Sequence, residues 1–582
     1  MSAPAGPFDR GMGDRAPTVS TSATRGIWSI WGSTLTRTVL PLALIVTLAV
    51  ATILPIGALL MRAFLDRKGT FIGVGNFVRY VTEPGLSIAA WNSVWLSALA
   101  TVLTLMLAFP YAYALTRSAV AGRGLFRIVA LLPLLAPSLL PAFGMVYLFG
   151  NQGWLKSWLM GESLYGPIGI VMASVFYALP TAILILSAGL AAGDARHYEA
   201  ARALKAGAWR TFMAVTLPAS RYTLISAASI VFVMIFTDFG IPTVIGGSTN
   251  VLATDIYKLV IGRFDFEMGA VVGVLLLVPA VVAYGVDVVA RRTQRSVLSG
   301  KSVPIEPKPE LLRDGVLFVF LMAMTVAIVG VIGMAIFGSL VRFWPYNLSL
   351  GLHHYQSLFT DADEARSVLN SLVLAGSTAL LGTMLVALSG WVVARRVASG
   401  PLGAILQGLA MVPVAVPGLV LGLGYVFFFN NPANPLHPLQ GTLLLIVVCT
   451  VAHFYTVPHV MAVSGLLRLD REIDAAAQAL RSGPAGTASR IYLATAAPTL
   501  VDVAGYFFVN AMTTVSALIF LFTAQTRVAA IAVVNMIEGS RIGQAAALSV
   551  VIMLISITAA LAQIGLRNLI IGAQPWRRRQ TD

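Results

Sequence analysis

From Thr38 onward the chain returns repeatedly to uncharged apolar stretches of about 20 residues, the length one helix needs to cross a hydrocarbon core of about 30 Å. In that medium every backbone N–H and C=O must be paired within the protein, which restricts the fold to a bundle of membrane helices. Composition agrees, with 58% of the 582 residues hydrophobic and only 11% charged. No stretch long enough for a soluble domain remains between the spans. The lone Cys449 lies in an apolar run, which excludes disulfides and Cys-rich metal sites and reads as a buried structural thiol.

The apolar runs resolve into an all-α, polytopic architecture of about twelve spans. The first six are expected near 38–61, 91–115, 125–149, 168–192, 222–245 and 269–289. The other six are expected near 315–338, 370–393, 402–429, 443–466, 498–522 and 545–566. Five segments follow: a disordered cytosolic tail over 1–37, a six-helix repeat over 38–290, a Pro-rich charged linker over 291–314, a second repeat over 315–568 and a basic cytosolic tail over 569–582. The tail has no short apolar core followed by a cleavage site, so the first span reads as an uncleaved anchor. With both termini in the cytosol, 28 of the 39 Lys and Arg fall on the inner side. The net charge of +15 is then a topology signal, and a nucleic-acid partner is unneeded.

The halves are copies. Asn92-Ser93 returns as Asn370-Ser371, Pro133 and Pro137 as Pro413 and Pro417, and Tyr177 and Pro180 as Tyr455 and Pro458. Six spans per half is an even number, so both copies share one orientation about a pseudo-twofold axis along the membrane normal. The strongest echo lies in two polar loops, each between the fourth and fifth spans of its half. Glu199-Ala-Ala-Arg-Ala-Leu-Lys-Ala-Gly207 comes back 276 positions later as Ala475-Ala-Ala-Gln-Ala-Leu-Arg-Ser-Gly483. Ala200, Ala203, Leu204 and Gly207 share one face of a short helix, as do Ala476, Ala479, Leu480 and Gly483. Small residues on that stripe suit a helix seated in a partner's cleft, with Arg202, Lys205 and Arg210 at the rim. Gly207 is the expected C-terminal stop, and Asp194 and Asp470 are the expected caps. One such helix alone could equally pack on its own protein; two at a constant offset favour a partner.

With these residues in view, the chain resembles the permeases of binding-protein-dependent ABC importers, as a fused, two-repeat member of the MetI-like type I class. The resemblance rests on Glu199-Ala200-Ala201, Leu204, Gly207, Thr211-Phe212 and Leu217-Pro218, and in the second half on Ala475, Ala476, Ala477, Leu480 and Gly483. It implies that both loops dock into a cytosolic ATPase homodimer and that a periplasmic substrate-binding protein delivers the solute. Three departures stand out. Lys205 occupies a position that is usually Gly, Ala475 replaces the Glu, and Ala494 replaces the Pro, so the two loops are expected to couple unequally.

Ser299-Gly-Lys-Ser302 lacks the glycine a phosphate loop needs, since Arg295 stands there, so ATP and Mg belong to the partner and no cofactor is expected on this chain. Inside the membrane, Asp238 in Thr237-Asp-Phe-Gly-Ile-Pro242 is costly unless hydrated or paired. It reads either as lining a wet pathway or as capping a broken helix. Asn510 and Thr514, the latter at the 276 offset from Asp238, and the pair Tyr177 and Tyr455 complete the pathway candidates. His453 and His459 are six apart and point to different faces, and His353-His354 are adjacent, so no metal site is expected. The outer loop after Trp344-Pro-Tyr-Asn347 is a candidate docking surface for the binding protein. A twelve-span carrier driven by an ion gradient is the rival class. Asp238-Phe-Gly-Ile-Pro and Asn250-Val-Leu-Ala-Thr-Asp-Ile-Tyr-Lys258 resemble the ferric-iron and 2-aminoethylphosphonate branch, and the linker and Trp344–Leu350 stretch lean toward the aminophosphonate members.

Overall fold

Nine helices among the described residues are long and apolar enough to cross a bilayer, and three further pairs qualify only as bent units. The computed structural model describes residues 35–574 apart from 298–302, 304, 306, 396, 398, 471, 481 and 483. Spans 1, 2, 4, 5 and 6 are Thr36–Ala63, Gly85–Arg117, Pro167–Ala191, Ala208–Phe236 and Phe266–Thr293. Spans 7, 8, 11 and 12 are Leu311–Leu340, Ala362–Ala394, Ala488–Thr513 and Ile542–Gly572. The bent units supply span 3 (Arg123–Leu135 with Leu139–Phe149, 103°), span 9 (Leu402–Ala415 with Gly418–Phe429, 111°) and span 10 (Leu443–His453 with Thr456–Leu467, 58°). Pro133 and Pro137 in span 3, and Pro413 and Pro417 in span 9, remove amide donors where the helices tighten and turn.

Neighbours decide whether a helix folded through 103° crosses the bilayer. Arg117, at the end of span 2, donates to the Leu190 carbonyl at the end of span 4, so both spans finish at one face. Span 4 is a continuous helix of 25 residues and therefore starts at the opposite face. The bent unit that feeds it has to cross. In the second half Arg395 likewise donates to the Leu469 carbonyl at 3.2 Å. The result is twelve crossings among the described residues, six per repeat.

The first span of each repeat packs on the other repeat. The Tyr425 hydroxyl of span 9 donates to the Ala51 carbonyl of span 1 at 2.8 Å. Glycine permits these crossings. A Cβ on Gly424 would lie 2.6 Å from the Pro55 carbonyl oxygen, and one on Gly144 would lie 2.1 Å from that of Val331. Pro55 and Val331 are 276 residues apart, so the two contacts are one contact seen twice, exchanged between the halves. Backbones approaching this closely gain dispersion that lipid tails cannot supply.

Some boundaries differ from the sequence expectation. The sixth helix continues to Val297, well into the expected linker, and span 7 begins at Leu311. The fold is all-α as expected, with a small antiparallel hairpin, Val341–Phe343 with Asn347–Leu350, in the loop after span 7. Most of the N-terminal tail, the end of the basic C-terminal tail and the Ser299–Ser302 motif lie outside the described residues.

Candidate functional site

The first echoed loop forms a helix over Ala195–Ala203, and Asp194 caps it by accepting from the Arg196 amide. That donation holds the Asp194 carboxyl below the usual carboxylate range. The helix ends earlier than expected. Lys205 takes the left-handed conformation at φ 51°, with Lys205 N–H bonded to the Arg202 carbonyl at 2.8 Å and Ala206 N–H to that of Ala201 at 2.9 Å. This is a Schellman ending with lysine at the position that favours glycine. Gly207 is therefore not the stop; it has an extended backbone and opens the next short helix, Ala208–Thr211. Left-handed geometry costs an L-residue about 1–2 kcal/mol. Lys205→Gly should accordingly slow hydrogen exchange at the Lys205 and Ala206 amides by about fivefold, while transport persists.

The second copy, Glu472–Ala479, repeats the pattern: Ser482 N–H bonds the Ala477 carbonyl at 2.8 Å. Gly483 lies outside the described residues. In both copies one alanine faces inward, Ala201 at 8% and Ala477 at 7% exposure. The stripe singled out from sequence faces away from the protein, with Leu204 at 83% and Leu480 at 82% exposure. Glu199, Ala200, Ala475 and Ala476 are exposed beside them. Pro218 is exposed in the first turn of the helix that forms most of span 5.

The two loop helices join the bundle differently. Arg117 stacks 5.0 Å from the ring centre of Tyr198, which lies on the loop helix, and the Tyr198 hydroxyl bonds that of Thr216 at 3.0 Å in span 5. In the second half Arg395 stacks 4.4 Å from Tyr492, the counterpart of Thr216. The ring thus sits on the loop helix in one repeat and on the span in the other. The linker is hydrogen-bonded to the first loop helix, with Ala195 N–H bonded to the Val303 carbonyl at 3.0 Å.

Between the repeats, two breaks and two bends come together. The helix of span 5 ends at Phe236 and restarts at Gly240, and Asp238 Oδ2 accepts from the Ile241 amide at 2.8 Å. Ser138, in the bend of span 3, donates to the same carboxylate. Asp238 is thus the cap of a broken helix, and it also stays partly exposed beside Tyr177. Tyr506 of span 11, in the other repeat, lies close enough to Tyr177 to act on it electrostatically. His453 and Asn510 are partly exposed, and Asn510 donates to the Tyr506 carbonyl at 2.8 Å.

Two pathway candidates do not belong to this cluster. Tyr455 is fully buried, its hydroxyl donating to Ser389 at 2.5 Å, and Ser389 in turn bonds His459 at 2.9 Å. Thr514 closes the span 11 helix with its side chain buried. Sequence reasoning missed Ser138 and Tyr506. A signal for Ser138 exists: it meets Gly240, whereas its counterpart Gly418 meets Ser516, so each contact has room for one side chain and each repeat fills it from the opposite partner.

Twelve crossings in two exchanged repeats, a polar cluster between them and a helix projecting from each define the class, a two-repeat membrane permease. Residues 106–296 match the family described as binding-protein-dependent transport system inner membrane component. A ferric transport system permease of Haemophilus influenzae is 30% identical over 492 residues, covering 81% of this chain and 76% of that protein. The ferric transport system permease of Actinobacillus pleuropneumoniae is 30% identical over 493 residues, covering 82% and 69%. The thiamine transport system permease of Escherichia coli is 25% identical over 352 residues, covering 58% and 63%. The chain belongs to this family of ABC importer permeases, and it is a transport subunit. The family match falls on the first repeat, the one that keeps Glu199 and Pro218.

Proposed function

We propose that the chain is the membrane subunit of an importer for ferric iron, and that it works by alternating access between its two repeats. The single observation that carries the solute is the ferric transport function named for relatives aligned over four-fifths of the chain. The central cluster is compatible, since carboxylate, phenol and hydroxyl oxygens from Asp238, Tyr177, Tyr506 and Ser138 suit a hard cation. The 2-aminoethylphosphonate reading therefore yields first place to iron.

In the proposed mechanism the basic face lies in the cytosol. Leu204 and Leu480 seat in two copies of an ATPase subunit, and closure of those subunits rotates the repeats about their pseudo-twofold axis. The Arg117–Tyr198–Thr216 joint carries that motion into spans 2 and 5 of the first half. A soluble binding protein delivers the solute at the opposite face. This chain supplies the pathway and the coupling, and ATP is hydrolysed in the partner.

The test is reconstitution of the chain with its ATPase and binding protein in proteoliposomes. ATP-dependent ferric uptake is expected; aminophosphonate uptake without iron would overturn the solute, and uptake without ATP would favour the ion-driven carrier. Asp238→Asn separates two roles, because Asn still caps a helix. Ferric flux should fall at least tenfold in that variant with melting behaviour kept, and unchanged flux would remove Asp238 from the pathway.

A further inference from the structure

At the face opposite the loop helices, the first repeat holds a half-open cavity of about 320 Å³ lined by Glu83, Asn250, Asp255, Lys258 and Arg263. Its floor is the short helix Leu252–Tyr257, which returns into the protein between spans 5 and 6. Asp255 is 4% exposed, and its Oδ2 has no hydrogen-bond partner. A buried carboxylate oxygen left bare is unfavourable in a folded protein. Glu83 is already paired with Arg79 at 3.0 Å, and Lys258 leans away to Asn250 at 2.5 Å. The cavity therefore holds a carboxylate oxygen with no hydrogen-bond partner, and two cations that act on it through space.

The duplicated half shows that the fold does not need these charges. The same scaffold bonds occur twice: Leu252 N–H donates to the Ser93 hydroxyl at 2.8 Å, and Ala529 N–H to the Ser371 hydroxyl at 2.7 Å. Asn92 and Asn370 brace the following loops in the same way. In that register Asp255 corresponds to Ala532 and Lys258 to Asn535. Arg263 precedes the left-handed Phe264 as Gly539 precedes the left-handed Ser540. All three charges are additions to a scaffold that packs without them.

We propose that this cavity binds a zwitterion bearing an ammonium and a phosphate or phosphonate group, the ammonium against Asp255 and the oxyanion against Lys258 and Arg263. Charge-assisted bonds at both ends satisfy the bare Oδ2 and recruit the two cations. The volume accepts a headgroup of this size. Ile88, Ile261 and Phe264, each within two residues of the lining Leu86, Leu259 or Arg263, are exposed apolar side chains, and this favours an aminophospholipid from the adjoining leaflet as the source. A soluble aminoalkyl phosphate or phosphonate shares the chemistry. Burial raises the Asp255 pKa to about 6, against the pull of Lys258 and Arg263. Its charge, and with it the ammonium affinity, is therefore lost as pH falls through that value. The site stands apart from the central cluster and does not depend on the transported solute.

The test uses the full chain, purified in detergent and stripped of lipid, with occupancy read by native mass spectrometry. Short-chain phosphatidylethanolamine should bind at least tenfold more tightly than short-chain phosphatidylglycerol, which lacks the ammonium. Asp255→Asn should abolish that preference, and Lys258→Gln should weaken both lipids. Asp255→Asn should also raise the melting temperature of the stripped protein at pH 7.5, because it removes a buried carboxylate whose desolvation outweighs the pull of Lys258 and Arg263; a purely structural carboxylate would lower it. If O-phosphoethanolamine binds as tightly as the lipid, the zwitterion site stands and its source is a soluble solute. Equal affinity for the two lipids, or an Asp255→Asn variant with the wild-type preference, overturns the proposal.

Discussion

Gly144→Val is expected to leave little folded protein. The added Cβ would lie 2.1 Å from the Val331 carbonyl oxygen, an obstacle of backbone that no rotamer change can clear. Overpacking in a well-filled core costs about 1–3 kcal/mol, and a backbone obstacle puts this site at the upper end. The exchanged contact makes the consequence global, because spans 3 and 7 join one repeat to the other. Gly424→Val meets Pro55 at 2.6 Å and should be milder. Gly376→Val is the control, since no atom lies within 4 Å of its Cβ position. Thermal challenge followed by fluorescence-detected size exclusion reads all three. Wild-type melting in Gly144→Val would mean that the repeats do not pack as described.

The double variant Leu204→Asp with Leu480→Asp is expected to abolish ATP-coupled uptake while the chain folds normally. Both side chains are almost fully exposed, at 83% and 82%, so the substitution removes no packing within the chain. Anchors in a docked interface are worth about 2 kcal/mol or more each, which is about thirtyfold in affinity. The single variants should differ. Leu204→Asp should be the more damaging, because its helix carries Tyr198, which Arg117 and Thr216 tie to spans 2 and 5. The second helix contributes no ring to its own joint, where Arg395 stacks on Tyr492 of the span. ATPase binding to proteoliposomes measures the effect directly. Full-strength binding by the double variant would sink the docking assignment, and equal losses in the single variants would sink the asymmetry.

Much of this architecture was legible because membranes leave a chain few options. An apolar run of about 20 residues has one ordinary fate, so span number followed from hydropathy and the 276-residue echo identified the repeat, whereas spans 5 and 11 both begin and end earlier than the expected 222–245 and 498–522. The loop stripe was legible for the same reason: helical periodicity alone places Leu204 with Ala200 on one face. Its ending was not. Glycine is the usual left-handed residue, and Gly207 drew the expectation, whereas Lys205 takes that conformation because two backbone bonds close the turn there. Asp238 was recognised as unusual from its depth, yet its two readings could be separated only by partners distant in sequence. The structure joins them: the carboxylate caps the Ile241 amide and also faces Tyr177.

Tyr177 and Tyr455 mark the remaining divide. In sequence they are the same residue of the same repeat, 278 positions apart. In the folded protein Tyr177 is partly exposed beside Asp238, while Tyr455 is sealed in a chain of bonds with Ser389 and His459. Periodicity, charge and duplication determined the class, the span count and the outward stripes, because each depends on neighbours along one helix. The exchange of first spans, the Ser138–Gly240 contact and its inverted copy at Gly418–Ser516, and the bare Asp255 were decided only by tertiary structure. Each depends on which residues of remote segments fill the same small space, and local sequence carries no record of that.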